Sequence, residues 1–138
     1  MPPSSTELWQ AMPWNYLLTI ALETPILLFL LANRHPWPRR LFAGIWLTAC
    51  TYPVVWIVLP LTVWQWWGYA VYLVVAETFA PLAECGLFWM AFPAATPTDS
   101  RDPQAASGKS IGLDCSAIVI ANLVSFLLGG LIVHLIRS

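Results

Sequence analysis

Two glutamates, Glu77 and Glu84, lie in the middle of an apolar stretch that runs from Trp66 to Phe92. They are seven residues apart, so in a helix they share one face and are separated by about 10 Å along the axis. An acidic side chain such as Asp at the centre of a membrane helix costs about 2.5–3.5 kcal/mol, whereas each large apolar residue contributes only about 0.3–0.6 kcal/mol. We therefore expect this helix to turn its glutamates toward other helices.

Polar side chains also fall near the middle of the other apolar stretches. Together with the two glutamates they form the set Glu23, Tyr52, Glu77, Glu84, Asn122 and Ser125. Prolines accompany three of the stretches, and Pro25, Pro53 and Pro81 are each expected to kink a helix and to free a backbone carbonyl. The sequence thus predicts a polar cluster at mid-depth in a helix bundle.

The predicted cluster contains three carboxyl groups and no Lys, Arg or His at the same depth. Desolvation and like charge oppose ionisation there, so the three groups cannot all be ionised. They must hold protons, bind a cation or open onto water, and oxygen ligands alone favour H⁺, Na⁺ or a hard divalent ion over Zn²⁺ or Cu²⁺. The alternatives are a catalytic centre, or helix cross-linking by hydrogen bonds worth about 0.6 kcal/mol each.

Composition indicates a membrane protein. Hydrophobic residues make up 59% of the chain, charged residues 9%, and the mean hydropathy is +0.69, whereas about a quarter of the residues of a soluble domain are charged. At roughly 20 apolar residues per span, we expect an all-α polytopic protein with one domain, a four-helix transmembrane bundle. The predicted spans are about 14–32, 41–63, 66–92 and 115–136, with a flexible cytoplasmic loop over 93–114.

The basic residues predict the orientation. Three of the six Lys and Arg residues lie in the connection 33–40, and two more, Arg101 and Lys109, lie in the 93–114 loop. By the positive-inside rule both connections are cytoplasmic and both termini are non-cytoplasmic, in what we expect to be a prokaryotic inner membrane. The tryptophan-rich segment 64–68 is expected to be a tight turn at the outer interface, and Asp114 to be the N-cap of the last helix.

The residue types that commonly perform catalysis or bind metals are poorly placed here. Cys50, Cys85 and Cys115 lack CxxC spacing, so we interpret them as packing residues, with a redox pair or metal ligands as the alternative. His35 and His134 fall near opposite membrane faces and cannot meet at one site. We therefore assign no catalytic residue, metal site or cofactor and do not expect an enzyme.

The polar motifs resemble those of a known group of proteins. The order of Glu23-Thr24-Pro25, Thr51-Tyr52-Pro53, Glu77 with Glu84, and Asn122-Leu123-Val124-Ser125-Phe126 is similar to that in a group of small four-span prokaryotic membrane proteins. The resemblance covers the four spans and omits the loops. It implies a four-helix membrane architecture and no particular activity.

Two functions remain as hypotheses. The first is proton- or cation-coupled transport through the polar cluster, by a homo-oligomer, because four helices enclose little volume. The second is a non-catalytic subunit or assembly factor that docks a membrane-protein partner on its polar face. The net charge of −1 gives no indication of nucleic-acid binding, and the lipid bilayer is the one partner that both hypotheses share.

Overall fold

The computed structural model describes residues 4–33, 35–92 and 108–137, and all regular structure in these ranges is helical. These ranges form four long helices in order along the chain: α1 is Ser5–Leu30, α2 is Trp37–Trp67, α3 is Tyr69–Ala91 and α4 is Gly108–Arg137. Each contains a segment long and apolar enough to cross a bilayer. The predicted all-α architecture is confirmed for the described residues, with four helices long and apolar enough to span a membrane.

Helix α1 begins nine residues before the predicted span because a capping box starts it. The Ser4 side chain accepts the Glu7 backbone N–H at 3.4 Å, and the Glu7 carboxylate accepts the Ser4 backbone N–H at 2.8 Å. This reciprocal pair satisfies two donors that the first turn of a helix leaves free. The helix then continues through Pro13 and through Pro25, one of the predicted kink positions.

Helix α2 changes its winding after Pro53, the second predicted kink position. The α-helical part Trp37–Pro53 is followed by two π-helical segments, Val54–Val58 and Pro60–Trp64. Each proline lacks the N–H that would bond one turn back, and a widened turn accommodates this loss. Pro81, the third predicted kink position, lies inside α3, which continues through it.

The predicted tight turn over 64–68 is wrong. The chain stays helical through Trp67, and Gly68 alone reverses it, with φ of 85° and ψ of 170°. Glycine reaches this conformation because it has no Cβ. Trp66 and Trp67 remain exposed on the last helical turn of α2, a position suited to contact with a membrane interface.

The start of α4 also differs from the prediction. The helix begins at Gly108, so residues 108–114 of the predicted flexible loop are helical, and residues 93–107 lie outside the described part of the chain. Asp114 is inside the helix and is not its N-cap. Its buried carboxylate instead accepts the Ala32 backbone N–H at 2.9 Å and lies 3.2 Å from Nε2 of His35. These tertiary contacts outweigh the low helix propensity of the glycines, which had indicated a loop.

The four helices form a ring in which each packs against two others. Helix α1 contacts α2 and α4, and α3 contacts the same two, so α1 faces α3 and α2 faces α4 across the centre. One contact is very close: a Cβ added to Gly44 of α2 would lie 2.9 Å from Oγ1 of Thr24 in α1. The outer surface of the ring is apolar, with side chains such as Trp14, Phe29 and Met90 exposed.

Candidate functional site

Glu23 of α1 is held from two sides in the middle of the ring. Its carboxylate lies 2.8 Å from the Thr48 hydroxyl of α2 and 2.6 Å from the Ser125 hydroxyl of α4. Glu23 is 3% exposed, so these two hydroxyls take the place of water as hydrogen-bond partners of its carboxylate. The sequence placed Glu23 and Ser125 at the same depth, and the structure joins them directly.

Glu84 of α3 is held in the same way. The Thr51 hydroxyl lies 2.8 Å from one of its oxygens, and the Asn122 amide donates to the other at 2.7 Å. Its side chain is 2% exposed. Each glutamate therefore links α2 to α4. The partners on α2 are Thr48 and Thr51, those on α4 are Asn122 and Ser125, and each pair has i, i+3 spacing. We call the six residues the carboxyl layer: Glu23, Thr48, Thr51, Glu84, Asn122 and Ser125.

Thr48 and Thr51 were not among the predicted site residues. Both are buried, at 2% and 4% exposure, and their i, i+3 spacing puts them on one face of α2 beside the predicted Tyr52. Threonine is common in membrane helices as a small packing residue, which is why its type alone did not single out these two. The informative signal was their spacing at the depth of the glutamates.

Every hydroxyl of the carboxyl layer has a second acceptor within reach. Thr48 Oγ1 lies 2.8 Å from the Gly44 carbonyl, Thr51 Oγ1 lies 3.1 Å from the Leu47 carbonyl, and Ser125 Oγ lies 3.0 Å from the Asn122 carbonyl. A hydroxyl has one proton and can donate it to one of two neighbours. If a glutamate is ionised, the hydroxyl donates to it. If the glutamate is protonated, it can donate to the hydroxyl, which then turns to the carbonyl.

An apolar floor lies directly beneath the carboxyl layer. It consists of one residue per helix, each four positions from a member of the layer: Leu27, Leu47, Phe88 and Ile118. All four side chains are at most 3% exposed and belong to one packed cluster. Four residues correspond to about one turn of helix, so the floor separates the layer from one end of the ring.

That end, which we call the closed end, is tied together by polar contacts around the connection between α1 and α2. Arg40 donates to the carbonyls of Leu28 and His35, each at 2.8 Å. His35 in turn lies beside Asp114 of α4 and packs edge-on against Phe88 of the floor, with ring centroids 5.3 Å apart. These contacts join α1, α2, α3 and α4 where the ring closes.

On the other side of the carboxyl layer lies a half-open cavity of about 1150 Å³. Its lining begins at the opposite end of the ring, which we call the open end, with Ser4 and Glu7 of α1, Tyr69 of α3 and His134 of α4. It ends on the carboxyl layer, all six residues of which line it. The cavity therefore leads from one end of the bundle to the buried glutamates.

The remaining predicted site residues, Glu77 and Tyr52, also line this cavity. Glu77 is half-buried, two turns above Glu84, and its carboxylate makes no hydrogen bond to the described part of the chain. Tyr52 is 7% exposed and stacks on Trp56, with ring centroids 5.8 Å apart. Its hydroxyl is buried near the Thr19 hydroxyl and makes no hydrogen bond of good geometry to the described residues. Glu77 thus presents an unpaired carboxyl group to the cavity, whereas the Tyr52 hydroxyl lies within its wall.

The cysteines and histidines occupy other positions. Cys50, Cys85 and Cys115 are free thiols, and Cys85 packs beside the apolar cluster that includes the floor. His35 lies at the closed end and His134 at the open end. Within residues 4–33, 35–92 and 108–137, no three His, Cys, Asp or Glu side chains converge as a metal-ligand group.

Comparison of the chain with protein-family profiles, with curated proteins and with solved structures finds no match.

Proposed function

We propose that this protein is a small transporter that carries protons or a cation across a membrane, with the carboxyl layer as its loading site. The observation that carries the proposal is the cavity, which opens at one end of the bundle and stops at Glu23 and Glu84. Ionisable groups at mid-depth in a membrane protein that face a cavity are typical of ion and proton pathways.

The hydrogen bonds of the carboxyl layer support a role in binding and releasing protons. Thr48, Thr51 and Ser125 each lie between a glutamate oxygen and a backbone carbonyl, at distances of 2.6–3.1 Å. Rotation of a hydroxyl therefore satisfies both the ionised and the protonated glutamate without any movement of heavier atoms. Thr62 and Thr78 make the same contact to a carbonyl one turn back, so the distinguishing feature of the layer is that each of its hydroxyls also reaches a glutamate.

The apolar floor favours a carrier over an open channel. Leu27, Leu47, Phe88 and Ile118 are packed below the layer, so within the described part of the chain no polar path continues to the closed end. Passage then requires the helices to rearrange until the layer is reached from the closed end, as in alternating access. All six residues of the layer come from one chain, and the homo-oligomer expected from the sequence remains a prediction.

The positive-inside rule gives the proposal a direction. Arg39 and Arg40 lie at the closed end, where the sequence also concentrates most of the other basic residues. We infer that the closed end is cytoplasmic and that the cavity opens outside, with both chain termini on the outer side. The proposed location is the inner membrane of a prokaryote.

The test is a flux measurement with the purified protein in liposomes, under imposed proton and cation gradients. Glu23→Gln, Glu77→Gln and Glu84→Gln each retain the shape of the side chain and remove its charge. We expect flux in the wild type and at least a tenfold loss in Glu23→Gln and Glu84→Gln. The matched control is Thr78→Val, beside Glu77 but on the exposed face of α3, which should transport as the wild type does.

Two results would count against transport. One is a folded wild-type protein that shows no carboxyl-dependent flux for any gradient. The other is flux that survives in both layer variants, since it would then bypass the proposed site. Circular dichroism and gel filtration establish that each variant is folded before its flux is compared.

A further inference from the structure

The cavity is larger than a proton or a small inorganic ion requires. Its volume is about 1150 Å³, whereas sites for drug-sized molecules measure about 300–1,000 Å³. The oxygen atoms that could bind a small inorganic cation converge in the carboxyl layer at the bottom of the cavity, so such an ion would leave the space above the layer unfilled. The size of the space therefore indicates an organic ligand.

The part of the cavity between the carboxyl layer and the open end has aromatic walls. The rings that line it are those of Tyr52, Trp56, Trp64, Tyr69, Tyr72 and Phe126. Several are fixed by contacts of their own. Trp64 stacks on Tyr72 with centroids 5.5 Å apart, and the Trp56 indole N–H donates to the Leu8 carbonyl at 3.1 Å. Preformed aromatic faces attract organic cations through their electron-rich rings.

The charged groups at the cavity are almost all acidic. Four of the seven Asp and Glu residues of the chain line it, namely Glu7, Glu23, Glu77 and Glu84. No lysine or arginine among the described side chains does so, and His134 at the mouth is the one basic type present there. A concave site lined by one sign of charge concentrates ligands of the opposite sign.

Within this site, Glu77 is the carboxylate available to a ligand. Both oxygens of Glu23 and of Glu84 already have partners within the layer, whereas Glu77 has none in the described chain. Tyr52 adds a second, independent feature. Its hydroxyl is buried in the cavity wall near the Thr19 hydroxyl, and it makes no hydrogen bond of good geometry to the described residues. A buried polar group left in this way is unfavourable unless a ligand or water satisfies it.

We propose that the cavity binds a monovalent organic cation with an apolar or aromatic body, its charge near Glu77 and its body against the aromatic walls. The inference rests on the proposed transport function, because it names the substrate class that would load from the open end. The organic cation is then exchanged for a proton, and the carboxyl layer beneath the cavity holds that proton.

The experiment uses two ions of the same shape and opposite charge, tetraphenylphosphonium and tetraphenylborate. Their equilibrium binding to the purified full-length chain in detergent is measured for the wild type, Glu77→Gln, Tyr52→Phe and Thr78→Val. We expect saturable binding of the phosphonium to the wild type and to Thr78→Val, and no saturable binding of the borate. Glu77→Gln should weaken phosphonium binding at least tenfold, whereas Tyr52→Phe should leave it unchanged, because the phosphonium has no group that could bond the Tyr52 hydroxyl.

Three results would overturn the inference: no saturable phosphonium binding to the folded wild type, equal affinity for the borate, or unchanged affinity in Glu77→Gln. The liposome experiment separates this inference from the transport proposal. Carboxyl-dependent proton flux in a protein that does not bind the phosphonium would refute the organic-cation site and leave transport standing. Phosphonium binding that needs Glu77, in a protein that shows no flux even when a phosphonium gradient is imposed, would support the site and refute transport.

Discussion

The two partners of Glu84 should differ in how strongly they are coupled to it. The Asn122 amide donates one proton to Glu84 at 2.7 Å and the other to the Ile118 carbonyl at 3.1 Å. Without Glu84, one of its protons has no acceptor. The Thr51 hydroxyl has a single proton and the Leu47 carbonyl as an alternative at 3.1 Å. Removal of Glu84 therefore leaves Asn122 unsatisfied and Thr51 satisfied.

Double-mutant cycles measure this difference. Side-chain hydrogen bonds in a membrane bundle have coupling energies that average about 0.6 kcal/mol and reach about 1.7 kcal/mol. We expect about 1.5 kcal/mol for the cycle of Glu84→Leu with Asn122→Ala. For Glu84→Leu with Thr51→Val we expect about 0.5 kcal/mol or less, because the wild-type hydroxyl loses little when Glu84 is removed.

The assay is equilibrium unfolding of each variant by sodium dodecyl sulfate in mixed micelles, followed by circular dichroism. All variants are compared under one lipid and detergent composition. A coupling for Thr51 as large as that for Asn122 would refute the idea that the hydroxyl has two usable acceptors. Coupling near zero in both cycles would mean that Glu84 is not held by these residues in the membrane.

Two further predictions concern packing and the closed end. Gly44→Ala should lower the free energy of unfolding by about 1–3 kcal/mol, because its Cβ would overlap Thr24. In contrast, the Cβ added by Gly129→Ala meets no atom within 4 Å, so the free energy of unfolding should stay unchanged or rise by up to about 1 kcal/mol. Chemical unfolding of both variants measures this difference, and equal effects would contradict the prediction. Asp114→Ala should lower the free energy of unfolding by about 1–3 kcal/mol, because it removes a buried hydrogen-bond acceptor. It should also speed hydrogen exchange at the connection beside His35. Unchanged exchange there would show that this carboxylate does not hold the closed end.

The membrane architecture was predictable because it depends on composition and on the length of apolar stretches. Four such stretches require four helices in a chain of this size. The depth of Glu23 and Glu84 followed from the same count, since a charged residue in the middle of an apolar stretch has to face inward. The start of α1 was also encoded, by Ser4 and Glu7 in capping-box spacing, although that signal was missed.

Other features depend on contacts between distant parts of the chain. The role of Asp114 arises from a connection about 80 residues earlier, and no local pattern indicates that pairing. Thr48 and Thr51 become glutamate partners only through the rotation of α2 relative to α1 and α3. The cavity depends on how far the helices separate toward the open end. The periodicity of apolar residues along one helix does not determine that separation.

The most direct test of the account is whether the region beneath the carboxyl layer becomes accessible from the closed end. In a background with the native cysteines replaced, Ala80→Cys reports on the cavity wall and Ala117→Cys on the packed cluster between the layer and the closed end. Each is treated in liposomes with a membrane-impermeant thiol reagent from one side at a time. We expect Ala80→Cys to react from the open end and Ala117→Cys to react, more slowly, from the closed end. If Ala117→Cys never reacts from the closed end in a folded protein, the bundle does not alternate and the glutamates are not part of a transport path.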